Sequence, residues 1–444
     1  MQNDFQASSG ATSSRRDFVK TAAIAAAATA ATLSIPRGVY AAGQDVIKVG
    51  LVGCGGRGSG AAQNAMNGDP GVKLVAMGDM FQDKLDKAHS AFMSDPDIAK
   101  RTDVPKERQF VGWDAYKGVI KESDVVILAT PPHFRPMHLQ AVLEANKHCF
   151  CEKPVATDAV HLRQMMKTSE QFGKNGKSLV SGLCYRYDKP KVEIMERIHN
   201  GGIGELRNVE VNYITGGLWS NQRQPQWTDM EFQLRNWLYF TWLSGDMIVE
   251  QHIHSLDKMM WVMKDQPPAY CYSTGGRTVR TERPQYGNVY DHFCTTYVWP
   301  DGTKAFAHAR QWAGTKHDCY GEVSDFAYGS EGVAAIQSAR ITGKNPWKGV
   351  VPKHSSVMYD AEHVALMKSI RDGKPINNGS YMCSSTLVAI MGRMAAYSGE
   401  KITWEQALGC TENLAPPKYA FGPLALPDVA VPGVVTYETK ESQA

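Results

Sequence analysis

The chain has 444 residues, 43% hydrophobic and 21% charged, with a net charge of +3. That length exceeds one ordinary core and points to about two domains, and the composition is that of a soluble globular protein rather than a disordered or fibrous one. Arg15, Arg16, Lys20 and Arg37 against Asp4 and Asp17 account for most of the charge surplus. The remainder is nearly neutral and has no basic stripe interleaved with aromatics, which argues against a nucleic-acid partner.

The N-terminus reads as an address. The stretch SRRDFVK (Ser14–Lys20) sets paired arginines before an alanine-rich run, Thr21–Leu33, and the small-residue segment Val39–Gly43 follows as a cleavage site. This resembles a twin-arginine export signal over residues 1–42, so the mature protein is expected in the periplasm. The run is too short and too alanine-rich for a membrane span. The cysteines are scattered without a CxxC pair and are expected mostly as buried small apolar side chains.

Val46–Val52, Val72–Met80, Asp124–Pro132, His148–Pro154 and Ser178–Tyr187 read as strands, with helical segments at 82–93, 135–147 and 158–176 between them. Strands alternating with helices predict a doubly wound parallel α/β sheet of the Rossmann type over residues 45–187. After residue 188 the pattern changes. Val209 and Val211 share one face of an alternating strand, and Tyr290–Trp312 reads as a hairpin around Pro300-Asp301-Gly302. A helix is expected at Ser384–Gly399. Residues 188–410 are therefore expected to form an α+β domain with a large, mainly antiparallel open sheet. The five prolines from Pro416 to Pro432 predict an extended tail, 411–444, a candidate arm across a neighbouring subunit. Trp219, Trp227, Trp237, Trp242 and Trp312 offer faces for sugar rings or for the core.

The segment GCGGRG places Gly53, Gly55 and Gly58 at GxGxxG spacing between the first strand and a helix, with Gly56 and Arg57 inside the loop. The first glycine permits a tight turn, the second lets backbone approach a pyrophosphate, and the third lets helix and strand pack closely. Asp79 ends the second strand, where a carboxylate accepts from ribose hydroxyls and repels a 2′-phosphate, so NAD is expected rather than NADP. Arg57 is the residue that competes with that reading. Thr130 and Pro131 lie at the carboxyl edge of the sheet, with His133 in the following loop.

In VEQHIHSLD (Val249–Asp257), Asp246 is a candidate N-cap, and Val249, Ile253, Leu256, Met260 and Met263 form an apolar stripe at helical spacing. Glu250 and His254, four apart, are expected as neighbours on one helix face, with Asp257 as a supporting group. A histidine beside a carboxylate suits removal of a hydroxyl proton. His252 and His254 point apart on a helix, so no metal site is expected.

Together GCGGRG, TPPHFRPMH, CEKP and VEQHIHSLD resemble the glucose–fructose oxidoreductase, inositol dehydrogenase and rhizopine-catabolism family over residues 45–410. The resemblance implies an NAD(P)-dependent oxidoreductase acting on sugar or polyol CH–OH groups, with a cofactor held tightly enough to be exported in place. It implies a homodimer or homotetramer built through the C-terminal sheet. Glu152, Lys153 and Pro154 match the family's Glu-Lys-Pro, which puts Glu152 by the nicotinamide ribose and Lys153 at the nicotinamide and the reacting hydroxyl. His254 matches its histidine, while Glu250 stands where the family has aspartate. Tyr185, Arg186 and Tyr187 match a segment that lines the substrate cleft. Two alternatives stay open: a glycoside hydrolase working by transient oxidation on bound NAD, and a non-catalytic sugar-binding protein.

Overall fold

The computed structural model describes residues 45–312, 320–354 and 356–439. The expected export signal lies outside them. Six strands, β1 (Ile47–Val52), β2 (Val72–Asp79), β3 (Gln109–Val111), β4 (Val125–Leu128), β5 (His148–Cys151) and β6 (Leu179–Ser181), form a parallel sheet in the order β3-β2-β1-β4-β5-β6. The order reverses between β1 and β4, and a crevice opens there at the carboxyl ends of the strands. All four residues of β4 are buried, as helices on both faces of a parallel sheet require.

Two features differ from the sequence reading. The strand β3 has three residues, too few for a periodic signal. The run Ser178–Tyr187 is a strand only to Ser181, and Cys184–Tyr187 forms a 3-10 turn. Gly182 marks the change: a Cβ there would lie 2.5 Å from a Glu152 carboxylate oxygen.

The second sheet comprises β7 (Leu206–Thr215), β8 (Tyr270–Gly276), β9 (His292–Val298), β10 (Lys304–Gln311), β11 (Glu322–Gly329), β12 (Gly332–Ala335), β13 (Arg340–Gly343), β14 (Trp347–Lys348) and β15 (Ile402–Thr403). Its order is β14-β13-β12-β11-β7-β10-β9-β8-β15, antiparallel except at β7–β10. The expected hairpin is β9–β10. Val209, Val211, Ala305 and Ala307 turn to one face and share a continuous core with Leu256 and Met260 of the helix Ile253–Val262. Leu387 and Met391 of the helix Gly379–Ser398 complete that core. Small residues on the sheet let both helices seat closely. The opposite face leaves Tyr272 and Phe306 exposed.

Two later segments close the structure. The helix Ser356–Arg371 packs on the glycine-loop helix Gly56–Gly68, and Leu179 N–H donates to Ile376 O at 2.7 Å, so residues 356–378 complete the first sheet's surroundings. The tail lies on its own chain. Arg393, fully buried, donates to Glu412, and Leu414, Leu424 and Leu426 pack on an aromatic cluster that includes Phe134, Phe232 and Phe240. None of the described helices is long and apolar enough to cross a membrane.

Burial pushes His138, His252 and His363 down to about 3, and His133 and His148 down to about 4. These imidazoles are neutral in the folded state and charge on unfolding, where their pKa is about 6.5. Their contribution is therefore complete above pH 6.5 and is lost as pH falls toward 4. Asp246, raised to about 6 by burial, opposes this, as do Asp79, Glu362 and Glu412, whose carboxyls burial also raises. Stability is expected to fall on acidification from pH 7 to 5, by at most about 1.4 kcal/mol per pH unit for each histidine. Thermal melts across that range check it, and a Tm that stays level or rises contradicts it.

Candidate active site

A cleft of about 680 Å³ runs from the glycine loop to Glu250 and Gln251. At its start, Gly53 has φ +99°, and a Cβ there would lie 2.7 Å from the backbone of Ala129 and Thr130. A Cβ on Gly58 would lie 1.9 Å from Gly53 O, so this glycine lets the helix pack against the loop. A Cβ on Gly55 would meet nothing within 4 Å, which leaves the backbone at the helix N-terminus open to an anion. The loop thus fits a pyrophosphate. Gly55, Gly56, Arg57, Asp79, Thr130 and Pro131 all line the cleft.

Asp79 is held in place by the loop it serves. Its Oδ2 accepts from Cys54 N–H at 2.7 Å and its Oδ1 from Phe81 N–H at 2.9 Å. Burial raises its pKa, and these donors act against the rise. Arg57 is committed elsewhere. Its guanidinium is ion-paired with Glu152 at 3.0 Å, donates to Asn64 at 2.9 Å and lies over the Tyr359 ring. The helix Ser356–Arg371 also brings the buried Glu362 into the field of Glu152 and Arg57, and burial raises its carboxyl well above the usual range. No local signal in the sequence marks Glu362, because the helix that carries it comes from the far end of the chain.

At the other end, Lys153 follows β5, and its Nζ lies 3.1 Å from Glu250 Oε1 and also donates to Glu250 O. Gln251 Nε2 donates to the second carboxylate oxygen, and Tyr213 OH donates to Gln251 Oε1 at 3.2 Å. The expected Glu250–His254 contact does not form. The helix is interrupted: Met247–Glu250 is one turn, and a new helix runs Ile253–Val262. Between them His252 N–H reaches back to Met247 O, which widens the turn and removes the four-residue stacking. The Asp246 N-cap is present, its carboxylate accepting from Met247 N–H.

His254 instead meets the edge of Tyr185, ring centres 5.6 Å apart. Burial, then the charges of Lys153, Lys258 and Arg57, hold its imidazole well below the usual 6.5, so it is neutral at physiological pH. Lys258 is buried in an ion pair with Asp325 and lies over the Tyr185 face at 4.2 Å. Arg186 is engaged by Asp257 and Asp265 and sandwiched by Trp261 and Tyr381. Its guanidinium ties the 3-10 turn to the helix Ile253–Val262 instead of facing the cleft. Tyr187 OH donates to Asn378 Oδ1 at 2.8 Å. His133 points away from the cleft, its Nε2 2.7 Å from Tyr419 OH, while His138 lines the cleft and stacks on Tyr116.

Sequence reasoning missed Phe81, Trp113 and Phe134 in the cleft lining, while Trp219 and Trp237, offered there as ring faces, do line it. Phe81 had a signal in standing two residues beyond Asp79; the others are joined only by the fold.

The glycines give a test. Gly58→Ala is expected to destabilise the protein by about 1–3 kcal/mol through overpacking. Gly55→Ala is expected to keep the wild-type Tm while weakening NADH binding on the order of tenfold. Melting curves and NADH fluorescence titration separate the two; equal effects of both variants on Tm would contradict the assignment.

Residues 47–180 match the profile described as the oxidoreductase family with an NAD-binding Rossmann fold, Gfo/Idh/MocA. A glycosyl hydrolase family 109 protein of Shewanella pealeana is 25% identical over 279 residues, 57% of this chain and 59% of that protein. Inositol 2-dehydrogenase of Salmonella typhimurium is 27% identical over 222 residues, 49% of this chain and 55% of that protein. The chain thus spans less than two thirds of the curated relatives it matches. The aldose-aldose oxidoreductase of Caulobacter crescentus, solved with glycerol, superposes with a TM-score of 0.61 at 17% identity, over 81% of this chain and 100% of that one, and shares the fold. On the profile match and the glycine-loop geometry, residues 47–180 are similar to the NAD-binding Rossmann domains of the Gfo/Idh/MocA oxidoreductase family.

Proposed function

We propose that the protein is an NAD-dependent oxidoreductase that moves hydride between nicotinamide and a CH–OH group of a sugar or polyol. The observation that carries this is the single cleft joining the glycine loop and Asp79 to Glu250, whose carboxylate holds Lys153. Bound dinucleotide supplies the hydride acceptor. Its pyrophosphate would rest on Gly53, Gly55, Gly56 and Gly58, its ribose on Asp79, and its nicotinamide end near Thr130, Pro131, Glu152 and Lys153. The engagement of Arg57 by Glu152 supports NAD over NADP, because it withdraws the loop's guanidinium from a 2′-phosphate.

In this reading Lys153 faces the reacting hydroxyl and stabilises negative charge on its oxygen. Glu250 fixes Lys153 and is itself fixed by Gln251. His254, neutral and next to Tyr185, is free to accept the proton. Export by the twin-arginine route, with the cofactor already bound, is supported by the SRRDFVK stretch. Assembly through the outer face of the nine-stranded sheet is supported by Tyr272 and Phe306, 47% and 37% exposed in this chain. A second reading, glycoside cleavage through transient oxidation, is supported by the glycosyl hydrolase family 109 relatives.

Mass spectrometry of dinucleotide released on denaturation is expected to show NAD; NADP contradicts the Asp79 assignment. A panel of inositols, aldoses and aryl glycosides then separates the readings. NADH accumulation with free polyols or sugars supports the dehydrogenase, and aryl glycoside cleavage without NADH supports the hydrolase. Lys153→Met is expected to lower kcat about 10²–10³-fold, and His254→Ala about 10²-fold or more. Turnover unchanged in both variants contradicts the roles assigned.

A further inference from the structure

The tail carries two aromatic side chains that are poorly explained as core. Tyr419 and Phe421 are 38% and 48% exposed, yet both are pinned. Tyr419 OH meets His133 Nε2 at 2.7 Å, two positions after the cleft residue Pro131. Phe421 stacks on Phe81 with ring centres 6.1 Å apart and planes 23° apart, and both tail rings lie 5.8 Å from Trp113. The segment is fastened beyond them too. Met230 N–H donates to Gly422 O at 3.1 Å, and Leu424 N–H donates to Asp229 at 3.2 Å.

Phe81 and Trp113 line the cleft on its Asp79 side, and the tail rings stand behind them. An aromatic wall backed only by solvent can turn its rings through several rotamers, and ordering each ring on binding weakens affinity. A wall braced before binding avoids that cost. His133, from the TPPH motif, serves this contact instead of facing the cleft.

We infer that Tyr419 and Phe421 are positioning residues for the dinucleotide: the tail braces the cleft wall beside Asp79 and slows cofactor release. This rests on the reading that the cleft holds NAD. The brace acts on the adenosine half and leaves the reacting end untouched, so its loss is expected in cofactor affinity and not in the chemical step.

The test is stopped-flow release of NADH, with melting temperature measured alongside. Phe421→Ala is expected to speed release about tenfold, Tyr419→Phe about threefold, and Phe421→Tyr to restore the wild-type rate. Asp428→Asn, at the exposed end of the same tail, is expected to leave release unchanged. Faster release with Tm held near wild type in Tyr419→Phe and Phe421→Ala supports the inference. Wild-type release rates in both variants overturn it. Wild-type protein that binds neither NADH nor NADPH overturns the cofactor reading, and this inference with it.

Discussion

The contact between Lys153 and Glu250 joins the two halves of the molecule at the point where chemistry is expected. Lys153 follows a strand of the parallel sheet, and Glu250 ends a single helical turn that belongs with the nine-stranded sheet. Both side chains are largely buried, so the pair is expensive to desolvate and poorly compensated if either member is removed. Gln251 and Tyr213 supply the further hydrogen bonds that such a pair needs. Glu250 of this pair and Asp79 line the same cleft.

The glutamate at this position has a physical consequence. One methylene longer than aspartate, it reaches Lys153 across the interdomain space, and the interrupted helix turns it from His254. Burial, and then the charges of Lys153 and Lys258, disfavour the charged form of that histidine. The Tyr185 ring lies under the Lys258 ammonium and meets His254 at its edge.

What was legible in the sequence was local. The glycine loop, Asp79, the alternation of strands and helices, the β9–β10 hairpin and the Asp246 cap each depend on residues a few positions apart. The Glu250–His254 pairing failed because it assumed one unbroken helix; the break falls at Gln251 and His252, where no glycine or proline marks it. His133 read as a cleft residue because its partner, Tyr419, is 286 positions away. Arg186 read as a substrate group because Asp257, on a helix that folds back over it, and Asp265, in the turn after that helix, are far away in the chain. The contribution of residues 356–378 to the first sheet, and the docking of the tail on its own chain, are long-range in the same way.

The central claim is that one cleft seats the dinucleotide from Asp79 to the Lys153–Glu250 pair, and a crystal structure of the protein soaked with NADH tests it most directly. The account predicts ribose hydroxyls on Asp79, pyrophosphate over Gly55, and the nicotinamide ring beside Lys153 Nζ at roughly van der Waals to hydrogen-bonding distance, about 3–4 Å. A dinucleotide bound in the reverse sense, or a nicotinamide directed away from Lys153, would contradict it.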